Sequence, residues 1–123
     1  MAYSGWEIDE DCRAALLELF PPAYQDVIAH HVTEQPGVKK GSLPPETAEI
    51  DIIGIVRRDG VEALIVTVNG TSKRPNGGIY HITWSLDSAA GRKPVHSNDV
   101  IRDHGFETLV CRVPVKTTPK VFY

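Results

Sequence analysis

Residues 48–70 read AEIDIIGIVRRDGVEALIVTVNG. Two runs of aliphatic, mostly β-branched residues flank Asp59-Gly60, and an Asp-Gly pair in that setting is a strong short-range hairpin signal. The two runs are therefore expected to be antiparallel neighbours, with Gly54 marking a bulge in the first. Working outward, DVIAHHVTE (26–34), IYHITWSL (79–86) and FETLVCRVPV (106–115) carry the same β-favouring composition and read as further strands. Between them lie EQPGVKKGSLPPET (34–47) and GTSKRPNGG (70–78), whose prolines and glycines mark surface loops. A helix is expected from Asp9 to Phe20, with Cys12, Ala15, Leu16, Leu19 and Phe20 on one face and Pro21-Pro22 ending it. A short second helix, NDVIRDHG, is expected to be capped by Ser97 and closed by Gly105. The whole reads as α+β: a mostly antiparallel sheet, or sheets, with helices outside.

Composition narrows the function. The 123 residues, 41% of them hydrophobic, suit one domain over positions 1–123. No apolar run is long enough to span a bilayer, and the acidic opening MAYSGWEIDEDC is unlike a secretory signal, so a soluble, cytoplasmic protein is expected. Without a secretion signal, the sequon Asn69-Gly70-Thr71 is taken as chance. Cys12 and Cys111 form neither a disulfide framework nor a CxxC pair and read as buried thiols. A net charge of −3 argues against coating an extended nucleic-acid duplex but allows a small anionic substrate. No cluster of histidines and carboxylates has metal-ligand spacing, so no metal and no cofactor is expected.

One pattern occurs twice: His31-Val32-Thr33 and His81-Ile82-Thr83. On a strand, residues two apart share a face, so each histidine points with its threonine while Val32 and Ile82 point the other way. A core strand gains nothing from two buried polar side chains, each costing roughly 1–3 kcal/mol if unpartnered. Two strands accepting that cost suggest a shared polar cleft. Histidine can be neutral in one copy and protonated in another near neutral pH, which supplies the base and the acid of a concerted proton transfer. A neighbouring hydroxyl can donate to the non-bridging oxygens of a phosphate as charge builds there. Metal-independent phosphodiester cleavage fits this set.

These two strand-borne His-x-Thr pairs resemble the signature of the two-histidine (2H) phosphoesterase superfamily, which includes RNA ligase-like and cyclic phosphodiesterases. The resemblance covers roughly Asp26 to Leu86. It implies a two-lobed fold with a central cleft, His31 and His81 as the acid–base pair, and Thr33 and Thr83 as phosphate contacts. It also implies a nucleotide or RNA terminus as substrate, carrying a 2′,3′-cyclic phosphate or a cyclic or short oligonucleotide linkage. Which histidine is the base stays open.

Parity with Thr33 selects His31 over His30, which is read as structural, although a one-residue bulge would exchange them. Lys39, Lys73 and Arg74 lie in the two loops nearest the expected cleft and are candidates for attracting a phosphate. Tyr80 and Trp84 alternate to the face opposite His81 and read as core, with Tyr80 kept as a base-stacking candidate at a rim. Lys93, Ser97 and Asn98 suit a polar cleft edge. The reading of a different class is a nucleotide- or RNA-end-binding module that has the cleft without catalysis.

Overall fold

The computed structural model describes residues 2–123. The chain is α+β, with two antiparallel sheets and two helices. In order it forms β1 (Ala2–Ile8), α1 (Glu10–Leu19), β2 (Asp26–Val27), β3 (His31–Val38), β4 (Ile50–Arg58) and β5 (Val61–Val68). These are followed by β6 (His81–Leu86), a 3-10 turn at Ser88–Ala90, α2 (His96–His104), β7 (Glu107–Val115) and β8 (Thr117–Phe122). The smaller sheet has the order β3-β1-β8, the larger β2-β6-β5-β4-β7.

The hairpin at Asp59-Gly60 is the spine of the larger sheet. Gly60 takes φ 77° and Asp59 φ 52°, the left-handed pair that matches the twist of a tight two-residue hairpin. The register shifts between Ile52 and Gly54, which is the bulge expected at that glycine. All eight residues of β5 are buried, because one face packs under the smaller sheet and α1 while the other packs under α2. Leu64 and Val66 join Trp6, Leu16, Val32, Ile82 and Trp84 in the first core. Ala63 and Ile65 join Val100 and Ile101 in the second.

Several boundaries differ from the sequence expectation, each for a physical reason. The run DVIAHHVTE is not one strand. Ile28 and Ala29 still donate their N–H groups to Trp84 and Thr83 of the larger sheet, at 2.9 and 3.0 Å, whereas the His30 carbonyl accepts from Ile8 of the smaller sheet at 2.9 Å. Ala29, fully buried with φ 43°, makes the turn between the sheets, and Arg13 Nε secures it by donating to the Ala29 carbonyl at 2.7 Å. On α1 the packed side is Cys12, Leu16, Leu17 and Phe20; Ala15 is exposed and Leu19 is 58% exposed, so the apolar stripe is rotated from the one expected.

β3 continues through Pro36 and Gly37, which read as loop, because it is a sheet edge where a missing N–H costs little. Edge strand β8, with Pro119, passed unread for the same reason, and central β1 did so because Ser4 and Gly5 have turn character. Ser97 lies within the first turn of α2, whose N-cap is Val95, and does not cap it. Gly105, at φ 69°, closes α2 as expected. Contrary to the expectation of two buried thiols, Cys111 is exposed, because β7 is an outer strand of its sheet, and Cys12 on α1 is only half-buried, its Sγ accepting from the Lys116 N–H at 3.3 Å.

Gly5 lets β1 and β3 approach. A Cβ there would run into the Val32 carbonyl oxygen, which is backbone and cannot turn away. Gly5→Ala is therefore expected to push β3 off β1 and to destabilise the protein by roughly 1–3 kcal/mol or more, read as a lower urea midpoint. A midpoint equal to that of the unsubstituted protein would show that the strand pair is not this tight.

Candidate active site

The crossover at Ala29 sets β3, an edge of the smaller sheet, beside β6 of the larger. Val32 and Ile82 then turn into the same core, and His31, Thr33, His81 and Thr83 turn the other way into one cavity of about 930 Å³. The loop 70–78 and the start of α2 complete its wall with Arg74, Gly78, Pro94 and Asn98. Both His-x-Thr pairs thus share one site although they come from different sheets.

Each imidazole is held at its Nδ1. His81 Nδ1 lies 2.8 Å from the Ile79 carbonyl, an acceptor only, so this nitrogen carries hydrogen and Nε2 is the free one. His31 Nδ1 lies 3.0 Å from His30 Nδ1, and its ring packs at a tilt against the stacked pair of Tyr3 and Phe122, with each centroid 5.1 Å away. Burial, and then the neighbouring His30 and His81, hold His31 down to about 4 against the weaker opposing pull of Glu7. Burial and the nearby Arg74 cation hold His81 down to about 4 as well, with the Ile79 carbonyl opposing. At neutral pH both rings are therefore uncharged.

Thr83 Oγ1 is 2.8 Å from Ser97 Oγ and 3.4 Å from the Pro94 carbonyl. If Ser97 donates, the Thr83 hydrogen points to the Pro94 carbonyl at 3.4 Å, a long contact that a ligand oxygen can replace. Arg74 is buried, yet among the described residues it pairs with no carboxylate: its Nη2 donates to Asn98 Oδ1 at 3.1 Å, and its buried Nε has no partner. A guanidinium stays protonated under such conditions, so this is a cation facing a cavity without a counter-ion. Gly78 makes room for it, since a Cβ there would lie 2.6 Å from Arg74 Nη2.

The other expected substrate contacts stand elsewhere. Tyr80 is buried in the core with its ring edge-on to Trp6 at 6.1 Å, as strand parity requires, and does not line the cavity. Lys73 pairs by a backbone bridge with Ile79 and is not in the cavity wall. Lys39, with Lys40, borders a second depression of about 700 Å³ that shares Ala2 and Gly37 with the first. His30 is not packed under a sheet; it is exposed and lies between Glu7 and His31. Sequence reasoning missed Tyr3, Glu7 and Phe122 because it placed no strand at either end of the chain. The apolar–charged–apolar alternation of Trp6, Glu7 and Ile8 was the available signal.

Among the described residues, no group of three or more His, Cys, Asp or Glu side chains is placed to hold a metal ion, and no helix is long and apolar enough to cross a membrane. No family model, no curated protein and no solved structure matches the chain.

Proposed function

We propose that the protein is a metal-independent phosphodiesterase of the two-histidine type, acting on a 2′,3′-cyclic phosphate or on a cyclic or short oligonucleotide linkage. The observation that carries this reading is the convergence of both His-x-Thr pairs on one cavity with the unpaired Arg74 cation. Each pair sits on a different sheet, which is consistent with a cleft between two lobes.

In the proposed reaction an anionic phosphodiester enters beside Arg74, which donates to a non-bridging oxygen. Its negative charge raises the proton affinity of both imidazoles, and one of them takes a proton. The second stays neutral because a like charge beside it disfavours a further proton. The neutral ring removes a proton from water as the water oxygen bonds to phosphorus. The bond from phosphorus to the ester oxygen breaks, and that oxygen takes the proton from the charged ring. The Thr33 and Thr83 hydroxyls donate to the non-bridging oxygens as charge grows on them. The product is a phosphomonoester, and solvent restores the two rings.

The test is a turnover assay on 2′,3′-cyclic nucleotides and cyclic dinucleotides in the presence of EDTA, with product identified by phosphorus NMR. Phosphomonoester formation unaffected by chelator is the expected result. Binding without product would favour the nucleotide-binding module, and loss of turnover on chelation would favour a metal enzyme.

A further inference from the structure

We infer that Glu7 and His30 form a relay that fixes the tautomer of His31, making His30 a positioning residue and His31 the general base. This rests on the functional reading above. Its evidence is a chain of contacts outside the His-x-Thr motifs: His30 Nε2 is 3.2 Å from Glu7 Oε2, and His30 Nδ1 is 3.0 Å from His31 Nδ1.

The hydrogens follow from the partners. A carboxylate only accepts, so the His30 nitrogen facing Glu7 carries hydrogen. A neutral His30 then has a lone pair on Nδ1, and the short contact to His31 requires His31 Nδ1 to be the donor. That leaves the lone pair of His31 on Nε2, the nitrogen turned from His30, where a base facing the cavity needs it. When His31 Nε2 accepts the water proton, the new cation lies at the end of a line of donors that finishes on Glu7. Glu7 is itself held by Lys120, whose Nζ is 2.9 Å from Oε1. The stacked Tyr3 and Phe122 rings pack against the imidazole at a tilt of about 40°, while His30 fixes which nitrogen is bare. His81 has no such relay. It ends on the uncharged Ile79 carbonyl and lies near Arg74, which suits a ring that must give its proton up.

The test uses the full chain with 15N-labelled histidine, compared as wild type, His30→Ala and His30→Asn. Long-range 15N–1H correlation spectra at pH 7.5 report the His31 tautomer with no need for activity, and kcat and KM are measured on 2′,3′-cyclic AMP. In wild type, His31 is expected as the Nδ1–H tautomer. His30→Ala is expected to shift it toward Nε2–H and to lower kcat roughly 10- to 100-fold, the usual scale for a lost orienting partner, with KM nearly unchanged. His30→Asn places an amide oxygen where Nδ1 stood, so it is expected to return the tautomer and most of kcat. An Nε2–H tautomer in wild type, or an unchanged tautomer or kcat in His30→Ala, would overturn the relay. If wild type cleaves no cyclic phosphate at all, the phosphodiesterase reading falls, while the tautomer spectra still decide whether the relay exists.

Discussion

His81→Ala is expected to lower turnover of a 2′,3′-cyclic nucleotide by at least about 10²–10⁴-fold, the usual contribution of a positioned acid or base. His31→Ala is expected to do the same. The two act in one concerted proton transfer, so the double variant should be little worse than either single variant instead of showing the product of their losses. Both side chains turn away from the main core, and each is held by a single ring-nitrogen contact, so circular dichroism should remain that of the folded protein. A double variant that still cleaves the substrate would end the phosphodiesterase reading. Arg74→Gln should act differently: a contact made in both ground and transition states is lost, so KM rises more than kcat falls.

Acid is expected to destabilise the fold through the same two rings. Each is held neutral in the native state down to about 4, while the unfolded chain takes up its protons near the ordinary value of 6.5. The folded pKa is depressed, so the unfolded state binds more protons between these limits and stability falls as pH drops from about 6.5 toward 4. Above 6.5 this contribution is fully present. Its size is of order 2–3 kcal/mol for each ring, the upper end applying only if neither gains water on opening of the cavity. Urea midpoints at pH 7.5, 5.5 and 4.5 should therefore fall more steeply for the wild type than for His31→Asn/His81→Asn. Parallel curves for the two proteins would show that other groups govern the acid limb. Inorganic phosphate, which favours the protonated rings, should restore stability more at pH 5 than at pH 7.5.

Local patterns were sufficient where backbone chemistry is decisive. Asp59-Gly60 announced the hairpin because few residue pairs adopt two successive left-handed conformations, and Gly54 announced its bulge. Strand parity sorted His81 and Thr83 from Ile82, Tyr80 and Trp84, since the pleat alternates side chains whatever the sheet is packed against. The same rule chose His31 over His30, although the strand carrying them is broken at Ala29. Parity survived because the break falls before the motif.

Long-range pairing was not legible. The terminal strands β1 and β8, one central and one at the edge of the smaller sheet, carry glycine, serine and proline, residues of low strand propensity that only a paired neighbour holds extended, and they pair with each other across more than a hundred positions. With β1 unread, Tyr3 and Glu7 could not be placed beside His31. Arg74 and Lys73 were equal candidates as adjacent loop cations, and only the turn closed by Gly78 onto Arg74 separates the one facing the cavity from the one outside it.

The order of residues along the chain thus set the hairpin, the face of each His-x-Thr pair and the chemistry those side chains can perform, because these depend on neighbours within a few positions. Whether the two pairs meet, which cation joins them and what touches His31 from behind depended on Ala29 carrying the chain from one sheet to the other. That crossover is held by a hydrogen bond donated by Arg13 and by two accepted at the Trp84 and Thr83 carbonyls, partners up to 56 positions distant, and no local pattern encodes them.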